Sequence, residues 1–93
     1  MPLRWFKMSL GEAFGGEGRL GPSPELDIPV EITGREDGSY SLLVQFKSRV
    51  SGVMQRYSDI VRCSEVEIDE KARDFAMISF RKQWVRDERE MNH

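Results

Sequence analysis

Apolar and polar positions change their period several times along this chain. Ile28, Val30 and Ile32 alternate with Asp27, Glu31 and Thr33, the period of two expected of a strand with one buried face. Pro29 falls on the face opposite Val30 and has no N–H for a ladder, which puts this strand at a sheet edge, at least locally. Asp37-Gly38 then marks a turn, because glycine takes positive φ without steric cost. Tyr40, Leu42, Val44 and Phe46 alternate with Ser41, Leu43, Gln45 and Lys47, and the two runs predict a hairpin.

Between residues 50 and 61 the period lengthens. Val50, Val53, Met54, Tyr57, Ile60 and Val61 recur at spacings of three and four, which on a helix gather into one apolar arc. Read as a strand, the same residues mix apolar and charged side chains on each face. Helix is the favoured reading. Gly52 and the weak caps speak against it, and Ser51-Gly52 as a hairpin turn is the alternative. Beyond Cys63 the period returns to two: Val66 and Ile68 alternate with Glu65, Glu67 and Asp69, predicting a third strand with an acidic outer side. Phe75 to Phe80 is apolar on both faces and predicts a fourth, covered strand. The charged stretch from Arg81 to His93, with Arg86 and Glu90 at helical spacing, predicts a short C-terminal helix.

The expected architecture is therefore α+β, a small antiparallel sheet in the order β-β-α-β-β with a short C-terminal helix. An all-β meander of five strands is the alternative. Residues 11–24 hold five glycines with Pro22 and Pro24 and read as a linker. Leu3, Trp5, Phe6, Met8 and Leu10 ahead of it are too apolar for a plain tail. The expected organisation is a flexible lead over 1–24 and one small domain over 25–93. About seventy residues is near the lower limit for unaided folding.

Composition narrows the function classes. Lys and Arg number 14 and Asp and Glu 16, for a net charge of −2, so general nucleic-acid affinity through excess positive charge is not expected. No apolar run reaches the roughly 18–20 residues that span a bilayer. The first ten residues lack the apolar stretch and cleavage site of a secretory signal. Cys63 is the one cysteine, so no intrachain disulfide forms, and a cytoplasmic location is expected.

Candidate chemistry is sparse. The one histidine, His93, is terminal, so neither a zinc set nor a Cys–His nucleophile pair can be built from this chain alone. Cys63 reads as an idle thiol. Glu65, Glu67 and Asp69 read as a hydrated acidic ridge, and the Gly15–Gly18 run lacks the ending of a phosphate loop. No metal, cofactor or small-molecule substrate is expected.

Charge placement says more. Lys47, Arg49, Arg56 and Arg62 against Asp59 leave residues 47–62 at net +3, while residues 65–74 carry Glu65, Glu67, Asp69, Glu70 and Asp74 against Lys71 and Arg73, net −3. Opposed fields orient association, either within one fold or between chains. Trp and Arg are enriched at interface hot spots. Trp5, Phe6, Arg49, Arg56, Tyr57 and Trp84 are accordingly the candidate partner-binding residues. The expected function is a small non-enzymatic interaction or assembly module that self-associates or joins a larger complex. A nucleic-acid-binding accessory role through Lys47, Arg49, Arg56 and Arg62, with Tyr57 stacking, is the alternative.

Overall fold

The computed structural model describes residues 3–14 and 25–92. Its elements in chain order are β1 (Leu3–Ser9), α1 (Leu10–Phe14), β2 (Glu25–Gly34), β3 (Tyr40–Lys47), β4 (Met54–Val61) and α2 (Ile68–Met91). The strands form one antiparallel sheet in the order β1-β2-β3-β4, and α2 lies across one of its faces. The architecture is α+β with a small antiparallel sheet.

The hairpin of β2 and β3 follows the alternation that predicts it. Ile28, Val30, Ile32, Leu42 and Val44 are buried on the face toward α2. The turn closes with Arg35 N–H donating to the Ser39 carbonyl at 2.8 Å, and Gly38 sits at φ 86°. Pairing of β2 with β3 runs only from Gly34 back to Glu31. It stops two residues short of Pro29, which faces Trp5 of β1 instead. The missing N–H is thus kept off the β3 ladder, although β2 as a whole lies inside the sheet.

Four expectations are corrected. Residues 54–61 are a strand and not a helix, because Gly52 adopts φ 75° and reverses the chain. Ser48 N–H donates to the Val53 carbonyl at 2.9 Å, and Gly52 N–H returns to Ser48. The spacing of three and four arose because β4 turns apolar side chains both toward α2 and toward solvent. Residues 65–67 are a turn leading into α2, whose first turn takes in Ile68 and Asp69, with Val66 91% exposed. Phe75 to Phe80 is the middle of α2, whose 24 residues absorb both the expected fourth strand and the short terminal helix. Finally, Leu3–Ser9 is an edge strand paired along its length with β2, and residues 11–14 belong to α1 rather than to a linker. The rest of the expected linker, residues 15–24, lies outside the described residues.

Helix α2 touches the sheet through Ile68, Ala72, Ala76, Ser79, Gln83 and Asp87, all buried. The alanines let the helix axis come close to the sheet, and the flanks are filled by half-buried Phe6, Phe46, Tyr57, Phe75 and Phe80. The amino-terminal segment is tied to the same helix. Arg4 of β1 pairs with Asp69 at 2.8 Å, Arg73 pairs with Glu12, and the Phe14 ring meets Phe80 and Trp84 edge-on at 6.2 and 5.8 Å between centroids.

Candidate functional site

Two places gather the candidate residues, and they have opposite characters. The first is a polar knot where the β3–β4 turn meets the last turns of α2. The Asp87 carboxylate is 2% exposed. It accepts hydrogen bonds from Ser48 Oγ at 3.0 Å, the Arg49 amide at 3.2 Å and Gln83 Nε2 at 2.8 Å. Burial pushes this carboxyl up, but those donors and the Arg49 charge outweigh it and hold the group below the ordinary aspartate value. Ser48 Oγ in turn accepts the amides of Val50 and Ser51. Tyr57 donates its hydroxyl to Gln83 Oε1 at 2.7 Å. The Arg49 guanidinium stacks over the Trp84 ring and pairs with Glu88 Oε1 at 3.1 Å.

Every polar side chain of the knot faces another side chain or backbone group of the same fold. Among the described residues no buried side-chain nitrogen or oxygen lacks a hydrogen-bond partner. A set of groups satisfied in this way holds β4 to α2. It leaves no nucleophile or base aimed at open space.

The second place is the face of the sheet turned away from α2. Alternation along the strands puts Leu3, Trp5, Pro29, Leu43, Met54, Arg56 and Ile60 there. Leu3, Glu31, Leu43 and Ser58 stand in one cross-strand row. Where β2 and β3 part beyond Glu31, a shallow depression of about 250 Å³ is lined by Leu3, Pro29, Leu43, Gln45 and Met54. Trp5 is 62% exposed, Met54 50% and Ile60 56%. No described element covers this face.

The six candidate partner-binding residues are therefore divided. Arg49, Tyr57 and Trp84 come together in the knot. Trp5 and Arg56 lie on the bare sheet face, and Phe6 points the other way, half-buried against the core. Of the basic set, Arg62 pairs with Asp37 at 3.2 Å and Arg49 is engaged in the knot, while Lys47 and Arg56 are on the bare face. The four do not form one surface. Among the described residues no helix is long and apolar enough to cross a membrane, and no three acidic, His or Cys groups are placed to hold a metal ion.

Sequence reasoning missed Ser48, Gln83 and Asp87. The usable signal was the series Ile68, Ala72, Ala76, Ser79, Gln83 and Asp87, which repeats at helical spacing, but half of its members are polar. No family model, curated protein or solved structure matches this chain.

Proposed function

We propose that this protein is a small non-enzymatic interaction module, self-associating or serving as a subunit of a larger assembly, and that its contact surface is the sheet face opposite α2. One observation carries the reading: a four-stranded sheet with α2 on one side presents Trp5, Leu3, Met54 and Ile60 to solvent on the other. A two-layer fold has no internal use for these side chains. Exposed apolar side chains gathered on one face, interspersed here with Glu31, Gln45, Arg56 and Ser58, are the mixed surface of a contact site. Trp5 would anchor such a contact, and Arg56 on the same face would orient it. The knot around Asp87 ties the β3–β4 turn to α2, which fixes that end of the sheet before any docking and lowers its ordering cost.

Fluorine NMR on protein carrying 5-fluorotryptophan tests this, since the chain has only two tryptophans. The Trp5 signal should shift with protein concentration, or on adding the other subunit, while the Trp84 signal stays in place. A Trp5 signal indifferent to both would end the proposal.

A further inference from the structure

We infer that a second copy of the chain adds antiparallel to the free edge of β4, in the register that sets Tyr57 of the two copies side by side on the two-fold axis. The inference rests on the interaction reading above and supplies its partner and geometry for one edge of the sheet.

The backbone comes first. Ser48 and Val53 are a hydrogen-bonded pair. With the β3–β4 register, Gln55, Tyr57, Asp59 and Val61 therefore turn their N–H and C=O groups toward β3. Met54, Arg56, Ser58 and Ile60 turn theirs outward. Among the described residues that outward row belongs to the last strand of the sheet. One of its donors already takes a substitute partner: Ile60 N–H donates to its neighbour's Asp59 Oδ1 at 2.8 Å. An open row of this kind is a template for another strand. Neither proline nor a bulge interrupts β4.

Side chains then choose the occupant and the register. Directly opposed residues of an added strand share a face, so only registers that match face to face are allowed. With Tyr57 on the axis, Met54 meets Ile60 and Arg56 meets Ser58 of the second copy on the bare face. On the α2 side, Gln55 meets Asp59. Along the two paired strands apolar groups meet apolar groups, and no like charges are directly opposed. Shifting one way along the allowed series sets Arg56 against Arg56. Shifting the other way sets Arg56 against Ile60 and strands Met54 against Arg62. Asp59, released from Ile60 N–H, arrives beside the second copy's Gln55, which Arg86 already reaches with a 3.4 Å hydrogen bond. A carboxylate is thereby delivered to an arginine flanked by Lys82 and Arg89 on one groove of α2. The axis runs perpendicular to the sheet, so both bare faces end on the same side. Pairing doubles the surface proposed above.

The test uses the full chain. Sedimentation velocity should give twice the monomer mass, and Ser58→Pro should return it to the monomer mass, since proline removes an outward N–H without touching the β3 ladder. Trp5→Ser, three strands away, should remain dimeric. For register, Arg56→Cys and Ser58→Cys are made separately in a Cys63→Ser background. Mixed and oxidised, they should cross-link to each other, because hydrogen-bonded antiparallel pairs stand about 5.5 Å apart at Cα, within disulfide reach. Several results overturn the inference: a monomeric native chain, a Ser58→Pro protein with normal circular dichroism that still dimerises, or Ser58→Cys cross-linking to itself alone. Loss of assembly in Trp5→Ser with Ser58→Pro intact would overturn edge pairing and leave the sheet-face reading standing. A Trp5 fluorine signal fixed at every concentration, in a chain that pairs through β4, would do the reverse.

Discussion

The Arg49 guanidinium carbon lies 3.7 Å from the centroid of the Trp84 ring, and its Nη2 also donates to the Trp84 backbone carbonyl at 3.2 Å. One residue of the β3–β4 turn thus grips both the ring and the main chain of α2. The stack is half-sheltered, since a third of the Arg49 side chain remains open to solvent, and a cation over an indole is worth about 0.5–2 kcal/mol in such settings. A double-mutant cycle with Arg49→Gln and Trp84→Leu should show a coupling of about 0.5–2 kcal/mol in urea unfolding. Strict additivity would mean that the two side chains touch without holding each other.

Asp87 carries more than this stack does. Its carboxylate is the shared acceptor for Ser48, Arg49 and Gln83, so Asp87→Ala strands several donors in the interior at once. The expected loss is about 3 kcal/mol, a large part of the stability of so small a domain. Asp87→Asn keeps the shape but turns an amide N–H toward the Arg49 amide or the Ser48 hydroxyl, and should recover only part of the loss. Urea midpoints of the three proteins measure this. An Asp87→Ala protein as stable as the native chain would show that the knot is incidental.

Acid should reveal the same group. The folded Asp87 carboxyl lies below its ordinary value of 3.8, so the unfolded chain binds the proton more readily than the folded one. Stability from this group is therefore complete above the ordinary value and drains away as pH falls toward the folded value. Glu12, Asp37 and Glu67 are displaced in the same direction, by the Arg73 hydrogen bond, the Ser39 hydroxyl and the Ser64 amide respectively. The melting temperatures of native and Asp87→Asn proteins should converge on going from pH 7 to below about pH 4. A gap of constant size across that range would contradict the assignment.

The sequence made the β2–β3 hairpin legible because Ile28, Val30, Ile32, Leu42 and Val44 alternate toward the helix, while the other face is mostly polar, Pro29 and Leu43 excepted. Helix α2 was hidden for the opposite reason. Its inner stripe runs from Ile68 through two alanines to Ser79, Gln83 and Asp87, so the contact face is small or polar. Phe75, Met77, Ile78 and Phe80, spread round the helix, imitated a covered strand. A start signal did exist. Ser64 and Glu67 stand in the spacing of a capping box, and the Ser64 amide and hydroxyl both donate to Glu67 Oε1. β1 was missed because its neighbour in space is β2, across the residues 15–24 that read as a linker. Of the candidate site, the place of Trp5 on the bare face was not legible, because the pairing of β1 with β2 was not. The stacking of Arg49 over Trp84 needed the turn at Gly52 to be recognised first.

Close approach of α2 to the sheet gives a test of the helix itself. Ala72 and Ala76 are fully buried and face strands that leave no room for larger groups. Ala76→Leu should cost about 1–3 kcal/mol through forced displacement of the helix. Ile78→Leu, nearly half exposed at the open groove between α2 and β4, should change stability by less than about 0.5 kcal/mol. Thermal melts of the two variants decide it. Equal effects would be the signature of a strand with two similar faces.

Gly52 separates the two readings of residues 50–61 by sign. In the interior of a helix, Gly52→Ala would stabilise the protein by about 1 kcal/mol, since glycine is the weaker helix former. In the turn seen here, φ is 75° and no atom lies within 4 Å of an added Cβ. The methyl meets no neighbour, and the whole effect is the backbone penalty for an L-residue in the left-handed region, about 1–2 kcal/mol. Gly52→Ala should therefore lower the urea midpoint with an unchanged denaturant slope. Gly52→Asn should lower it less, because asparagine tolerates that conformation better. A raised midpoint in Gly52→Ala would return these residues to a helix and remove β4, along with its free edge, from the sheet.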